Sequence, residues 1–398
     1  MSHDRETPGD DASERRRWEA ASPEELARLA GQRPEELFAA AERLCGGATG
    51  ERSAAGPVAR TLGRIAEALA DTRSRDGAAQ AADIAGRLLP SEAAAHGETD
   101  RIRRAVAARL AKAQPLRNLE PLFEQLPEGL HSPQVETRAC LLGELALLGA
   151  LTGAGPGRGR LRMYAERLRE LEHPLARLPQ NRLDIEHRFM VRVRGLGSVK
   201  TSQQLRSRFP EVPPSDTGAA AGRPAVGVPD DTRARAAARP FTAGGWARTP
   251  EVRFFALPAP LHPGDFGMSF LERLSVDCLR GDGTRVACVT TPDDVLDELF
   301  SAAYYGGVGG QGQGGAYARL FAWDALYALM GLPVHVPFLE AVRRTADHRW
   351  VRFVASTPWF HHDTADLGLA VLDPSRTRVA VLAATDTDVT APDASARP

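Results

Sequence analysis

The chain changes its hydrophobic periodicity partway along, and this change limits the folds that it can adopt. In the first half, apolar residues recur at helical spacing, so that Val58, Leu62, Ile65 and Leu69 fall on one face of a helix. From residue 251 onward, short apolar segments have the character of strands. These segments are 251–257, 284–290, 350–356, 366–372 and 377–384. We therefore predict an α+β protein, in which an all-α half precedes a mixed α/β region.

The helical half begins with a recognisable helix start. In Ser22-Pro23-Glu24-Glu25, the serine can cap a helix, the proline fits its first turn, and Glu25 completes a capping box. Further helices follow, and clusters of Gly and Pro separate them at 46–57, 90–97, 126–133 and 152–159. A helical bundle and an irregular helical-repeat array both fit this pattern. No fixed period supports a named repeat family.

Composition places the boundaries between the predicted domains. Residues 21–200 form the predicted helical domain and residues 251–390 the predicted mixed α/β domain. Between them, residues 205–250 are rich in Pro, Gly, Ala, Arg and Asp, and such a segment buries little apolar surface. We predict a linker or a long disordered loop there. The termini, residues 1–20 and 391–398, are predicted to be disordered tails.

The last two strands are predicted to form a hairpin. Pro374 and Ser375 lie between them, and a turn centred on these two residues sets the register. Both faces of segment 366–372 are apolar, which predicts a hairpin in the middle of a sheet that is covered on both sides. The same register sets Asp363 opposite Asp386 and His361 opposite Asp388. A bulge in the turn would shift every one of these pairs.

Charge and cysteine content exclude several classes of protein. The 398 residues carry a net charge of −1, so no overall field attracts the chain to nucleic acid or to an anionic membrane. The longest apolar segments are short and contain charges, which argues against a membrane span. The four cysteines, Cys45, Cys140, Cys278 and Cys288, form no CxxC pair. This usage predicts a cytoplasmic protein without a disulfide framework.

A glycine-rich loop is the first candidate site. Seven of the ten residues from Gly306 to Gly315 are glycine, and the apolar helix predicted at 316–330 follows directly. Backbone amides that lead into a helix N-terminus can hold an anion. The ligand-binding candidates are Gly309, Gly312, Gly315 and Arg319. The alternative is that the glycines only allow close packing. The loop matches GxGxxG, but a helix precedes it where a dinucleotide site has a strand.

Two charged residues lie inside the apolar helix. Arg319 and Asp324 are five residues apart, so they point in different directions around the helix axis and cannot pair with each other. Each therefore needs another partner or access to solvent.

Acidic residues and histidines near the predicted hairpin form the second candidate site. The catalytic candidates are His361, Asp363, Asp386 and Asp388. Carboxylates beside a histidine can bind a divalent ion or transfer protons. The alternative is that polar residues collect where strands meet water. Because no HExxH or HxH motif is present, we assign no metal, and the cofactor stays unknown.

Several segments of the C-terminal half resemble a known family. TPDDVLDELFSAAYYGG, GGAYARLFAWDAL and WFHHDTADLGLAVLDPSRTRVAVLAATDTD are similar to the C-terminal region of an actinobacterial family of unknown function. The resemblance covers about residues 250–390. The basic residues agree with such an origin, because only Lys112 and Lys200 are lysines among 50. The resemblance implies a cytoplasmic protein and brings no activity or catalytic residue.

Two functional hypotheses follow from these features. The first is a non-enzymatic regulatory or protein-interaction protein, in which the helical half contacts another protein and the α/β half is a platform or a small-ligand sensor. The second is an enzyme that acts on a phosphorylated or nucleotide-like substrate, with the glycine loop holding phosphate and the His/Asp cluster doing the chemistry. Nucleic acid and membrane are not expected partners under either hypothesis.

Overall fold

The computed structural model describes residues 9–47, 55–90, 96–152, 158–189, 225–308, 310, 312–360 and 365–386. The chain divides into two compact units. Unit 1 comprises Met1–Arg182 together with Gly314–Ala316, and unit 2 comprises Leu183–Gln313 together with Tyr317–Pro398.

Unit 1 is built from helices, as the sequence predicts. In chain order the helices are α1 Gly9–Ala20, α2 Pro23–Gln32, α3 Pro34–Gly47, α4 Ala55–Ala70, α5 Arg75–Asp83, α6 His96–Ala113, α7 Leu116–Leu119, α8 Pro133–Leu147 and α9 Arg158–Glu170. The first helix, α1, contradicts the prediction of a disordered tail for residues 9–20, whereas residues 1–8 and the other predicted tail, 391–398, lie outside the described residues. Its Trp18 is buried, and the indole of Trp18 donates to Glu14, which also accepts from Arg43 on α3. Burial of this aromatic ring favours the folded helix over a free tail.

Helix α4 lies in the core of unit 1. The four residues that define its predicted apolar face, Val58, Leu62, Ile65 and Leu69, are all buried. This helix packs against α2, α3, α5 and α6. The predicted cap at Ser22 is also present, because the Ser22 hydroxyl accepts from the backbone N–H of Glu25. Periodicity and capping therefore predict the helical half correctly.

Unit 2 contains a six-stranded antiparallel sheet and helices. The strands are β1 Val226–Gly227, β2 Glu251–Ala256, β3 Arg285–Val289, β4 Arg349–Ala355, β5 Leu367–Leu372 and β6 Arg378–Ala384, in the order β1-β2-β6-β5-β4-β3. The helices are α10 Asp231–Ala243, α11 Met268–Leu271, α12 Pro292–Tyr305, α13 Gly314–Met330 and α14 Phe338–Thr345. The hairpin β5–β6 lies in the middle of the sheet, and every residue of β5 is buried. The predicted central, doubly covered hairpin is confirmed.

Different segments cover the two faces of the sheet. Phe255, Val379 and Leu372 stand in register on one face. They belong to an apolar cluster with Phe270 and Leu271 of α11. Helix α10 packs against β2 and β6. Burial on both faces explains why the central strands read as continuous apolar runs.

Helix α10 also corrects a domain prediction. It lies inside the segment 205–250 that the composition predicts to be a linker or a disordered loop. The carboxylate of Asp230 caps the helix, and Ala237 and Phe241 are fully buried. A few well-placed apolar residues thus anchor a segment whose average composition is poor in them. Residues 205–224 of the predicted linker lie outside the described residues.

Candidate functional site

The register of the β5–β6 hairpin differs from the prediction by two residues. Leu367 pairs with Ala384, and Leu372 pairs with Val379. The predicted register, in which Asp363 faces Asp386, is therefore wrong. The turn contains two more residues than predicted because the Asp373 carboxylate accepts from the backbone N–H groups of both Thr377 and Arg378.

Hydrogen bonds within this turn also set the acidity of Asp373. Burial alone would raise the pKa of the Asp373 carboxyl, but the Ser375 hydroxyl and the backbone amides of Arg378 and Thr377 outweigh burial and lower the pKa. Arg376 takes a left-handed backbone conformation, with φ of 62°. This conformation accommodates the longer turn.

The structure describes one member of the predicted His/Asp cluster. Asp386 follows β6 and is 2% exposed. The other three members, His361, Asp363 and Asp388, lie outside the described residues. The two oxygens of Asp386 accept from backbone N–H groups, Oδ1 from Ala247 at 2.8 Å and Oδ2 from Val308 at 2.5 Å. Asp386 thus holds the glycine-rich loop in place.

Several described glycines of this loop lie tightly against neighbouring side chains and backbone. A Cβ atom on Gly307 would overlap the Asp386 carboxylate, and one on Gly312 would overlap the carbonyl oxygen of Tyr304. Gly315 is equally confined, because a Cβ there would lie 2.7 Å from both Glu144 and Leu147. Close packing therefore accounts for the glycine at these positions. Gly309 lies outside the described residues.

Arg319 has a buried partner in unit 2. Its Nε and Nη2 donate to the two carboxylate oxygens of Glu186, and both side chains are at most 1% exposed. The Trp323 indole donates to the same carboxylate at 2.6 Å. Asp324, the other charged residue of this helix, pairs with Arg239. Each residue thus has a partner outside the helix, as their spacing predicts.

Unit 1 contains a buried carboxylate with a shifted pKa. Glu144 on α8 is 2% exposed, and its Oε1 accepts from the backbone N–H of Ala316 at 2.8 Å. Burial raises the pKa of Glu144 to about 7. The hydrogen bonds from Ala316 and Gly315 and the charge of Lys112 oppose this shift only in part.

A cleft of about 670 Å³ opens in unit 2. Its apolar lining comes from Phe254 of β2, Val371 of β5, Ala380 of β6 and Met330 at the end of α13. Helix α13 ends there because Gly331 takes a left-handed conformation. The cleft thus opens where the sheet meets the C-terminal end of an apolar helix.

Charged side chains surround the apolar lining of this cleft. They are Arg233, Arg344, Arg378 and His348, together with Asp230, Asp347 and Asp373. Arg233 lies over the Phe254 ring, with Cζ 4.1 Å from the ring centroid, and donates two hydrogen bonds to the carbonyl oxygen of Ala328. The same carbonyl, in the last turn of α13, also accepts from the backbone N–H of Gly331, so Arg233 adds to the cap of the helix.

The electrostatics of the cleft disfavour the charge on Arg233. Burial lowers the pKa of its guanidinium, and the like charge of Arg378 lowers it further. Asp230 opposes both effects. The balance of these effects lowers the pKa of Arg233 although Asp230 lies beside it.

The cleft was not predicted from the sequence. Arg233 and Asp230 lie in the segment that composition assigns to a linker, and Arg378 follows a turn whose length was underestimated. No short motif marks these positions. The available signal was Asp230 preceding an alanine-rich stretch, which is a helix start.

Metal sites, reactive thiols and membrane helices each require particular features of the described residues. Among these residues, no group of three or more His, Cys, Asp or Glu side chains could hold a metal ion. Cys45, Cys140, Cys278 and Cys288 are all free thiols. Burial raises the pKa of Cys288 to about 11 and that of Cys278 further, so neither is a ready nucleophile. No helix in the described ranges combines the length and the apolar character that a membrane crossing requires.

The fold and the cleft define a two-unit α+β protein with a cavity of the size that small ligands occupy. The chain belongs to DUF6183, a family of unknown function, whose model matches residues 24–388. The match includes most of the helical half as well as the sheet, and so extends beyond the C-terminal region in which the resemblance was noted. No curated protein and no solved structure matches the chain.

Proposed function

We propose that this protein is a non-catalytic regulatory protein and that unit 2 binds a small molecule in the cleft. The observation that carries the proposal is the cavity of about 670 Å³, with an apolar base and charged groups around it. Cavities of small-molecule sites fall between about 300 and 1,000 Å³ and combine apolar walls with a few polar groups. Phe254, Val371 and Ala380 belong to strands of one sheet, so the base of the cleft is rigid.

The contacts of one catalytic candidate, Asp386, and one ligand-binding candidate, Arg319, favour the non-catalytic hypothesis. Both carboxylate oxygens of Asp386 accept from backbone amides, and Arg319 is fully buried against Glu186. A general base or a phosphate-binding cation must reach its substrate, and these two groups are enclosed. The alternative, an enzyme that acts on a phosphorylated substrate, has no comparable support from Gly312 or Gly315, which are closely packed.

The helical half completes the proposal. We expect unit 1 to bind a partner protein, so that ligand binding in unit 2 regulates that interaction. The free thiols support a reducing, cytoplasmic environment. The arginine bias supports the actinobacterial origin suggested by the sequence resemblance.

Two valine substitutions test the cleft. Val228 lines the cleft and is 45% exposed, whereas Val289 on the edge strand β3 is 49% exposed and does not line it. A tryptophan at position 228 should block the cleft, and the Val289→Trp variant is the matched control. We expect a metabolite library, screened by thermal shift and native mass spectrometry, to yield ligands that the wild type and Val289→Trp bind and Val228→Trp does not.

The same screen examines catalysis. Ligands recovered after incubation should be chemically unchanged when analysed by mass spectrometry. Turnover of any bound compound would refute the non-catalytic assignment, and ligands that bind Val228→Trp as well as they bind the wild type would refute the assignment of the cleft.

A further inference from the structure

We propose that the ligand of this cleft is an anion, namely a small molecule that carries a phosphate or carboxylate group next to an apolar ring or chain. Arg378 and Arg344 bind the anionic group, and the apolar lining binds the rest. The inference rests on the proposed function and adds to it the chemical class of the ligand.

Cationic side chains converge on the cleft. Arg233, Arg344 and Arg378 reach the cleft from a helix, a second helix and the start of a strand. Like charges that are brought together by folding repel one another, and the repulsion is relieved when an anion binds between them. A planar guanidinium also matches the geometry of both carboxylate and phosphate.

Each carboxylate of the cleft already has a partner or is exposed to solvent. Asp230 accepts from the backbone N–H of Arg233 at the start of α10, and its Oδ2 lies 3.8 Å from Nε of the same arginine. Asp373 accepts from the backbone amides of its own turn and from the Ser375 hydroxyl. Asp347 is exposed to solvent, which screens its charge. Asp230 therefore offsets the charge of Arg233, whereas Asp373 and Asp347 neutralise the other arginines less than their number indicates.

The arginines differ in how free they are to bind a ligand. Arg233 is committed to the end of α13 through its two hydrogen bonds to Ala328. The Nε of Arg344 donates to Glu340, and nearly half of the Arg344 side chain is exposed. Arg378 is exposed at the start of β6. We assign charge recognition to Arg378 and Arg344 and a positioning role to Arg233.

The apolar lining determines the other part of the ligand. Phe254 presents its ring to the cleft beneath the guanidinium of Arg233, and Met330 and Val371 lie nearby. Thioether and aromatic groups pack well against flat apolar rings. An aromatic or aliphatic acid therefore suits the cleft better than a bare inorganic ion.

Three probes of similar shape test the sign of the charge. Phenyl phosphate and phenylacetate carry the two anionic groups, and benzylamine carries a cation. Their affinities for the full chain are measured by saturation-transfer NMR. We expect one or both of the anions to bind and benzylamine to bind at least tenfold more weakly, and the stronger anion distinguishes phosphate from carboxylate.

Arginine variants locate the contact. Arg378→Gln and Arg344→Gln should each weaken binding of the preferred anion about tenfold, because hydrogen bonds to charged groups are strong. The matched controls are Arg376→Gln, in the same hairpin, and Arg343→Gln, which shares Glu340 as its partner with Arg344. Neither control lines the cleft, and both should bind as the wild type does. Thermal unfolding of each variant verifies that it folds.

Two results would refute the anionic ligand but leave the cleft as the assigned ligand site. One is that benzylamine binds as tightly as the anions, and the other is that the two cleft variants keep full affinity while Val228→Trp loses it. If Val228→Trp also keeps full affinity, both the anion and the cleft assignment fail.

Discussion

The guanidinium of Arg319 donates to both carboxylate oxygens of Glu186, at distances of 2.7 and 2.9 Å. Trp323, one turn further along α13, donates to the same carboxylate. Glu186 is fully buried, and the backbone N–H of Leu183 donates to its Oε2 as well. A buried pair of this kind does not make a fold more stable than an apolar pair would, but losing one partner leaves the other charge unpaired.

We therefore predict that Arg319→Met destabilises unit 2. The substitution keeps most of the side-chain volume and removes the cation, which leaves the Glu186 carboxylate buried and costs about 3 kcal/mol. Adding Glu186→Gln should restore part of the loss, since no charge remains and the amide oxygen still accepts from Trp323. The recovery is partial because the amide nitrogen cannot accept from the backbone N–H of Leu183, which donates to the other Glu186 oxygen. Urea unfolding of the two variants measures both effects.

An exposed ion pair serves as the control. Arg343 pairs with Glu340 and its side chain is 73% exposed. Arg343→Met should change stability by less than about 1 kcal/mol, because solvent screens the pair. If Arg319→Met and Arg343→Met lower the free energy of unfolding equally, burial does not determine the cost of losing the arginine.

Gly312 is predicted to tolerate no side chain. A Cβ atom at this position would overlap the carbonyl oxygen of Tyr304, and backbone cannot move aside easily. We expect Gly312→Ala to reduce stability by about 2 kcal/mol. Gly267, whose added Cβ would meet open space, is the matched control and should change stability by less than about 0.5 kcal/mol. Both measurements use thermal unfolding.

The same variant separates packing from ligand binding. Gly312 does not line the cleft, so Gly312→Ala should bind phenyl phosphate as the wild type does at temperatures where it is folded. Lost binding in a stable, folded Gly312→Ala protein would restore the glycine loop as a ligand site.

The hairpin β5–β6 shows most clearly which features the sequence predicts and which it does not. Its existence and its position in the sheet follow from two apolar segments around a turn. Its register does not, because the turn length depends on hydrogen bonds that Asp373 makes with Thr377 and Arg378. Pro374-Ser375 alone favours the shorter turn.

The partners of Arg319 and Asp324 could not be predicted from the sequence for a similar reason. The spacing of Arg319 and Asp324 predicts that each needs a separate partner. Nothing local identifies Glu186, which lies 133 positions earlier in the chain. The cleft is harder still to predict, because its lining comes from β2, β5, β6 and the end of α13.

Asp386 offers a test of structural against catalytic use. In Asp386→Asn, the amide nitrogen cannot accept a hydrogen bond, so the N–H of either Ala247 or Val308 loses its partner. We expect a loss of about 1–3 kcal/mol, as for other buried groups left unsatisfied. Urea unfolding measures the loss. Mg²⁺, Mn²⁺ and Zn²⁺ provide the opposing test. If one of these ions stabilises the wild type and Asp386→Asn abolishes that stabilisation, the result would instead favour a metal site at the predicted His/Asp cluster.

Glu144 is predicted to make unit 1 less stable as the pH rises. Burial lifts its pKa from an ordinary value of 4.5 to about 7 in the folded protein. Between these two values the unfolded chain releases the proton while the folded protein retains it, so each rise in pH favours unfolding. The contribution of Glu144 is complete below pH 4.5, and it is lost as the pH passes about 7. The loss is on the order of 3 kcal/mol.

Glu144→Gln isolates this effect, because glutamine resembles the protonated acid and keeps an oxygen that can accept from Ala316. Near pH 4.5 the wild type and the variant should unfold at similar urea concentrations. Their midpoints should separate as the pH rises, with the variant the more stable protein above pH 7. Other titrating groups, including Glu67, whose pKa burial also raises, are present in both proteins and cancel in the difference. Parallel pH profiles for the two proteins would show that Glu144 does not hold its proton in the folded state.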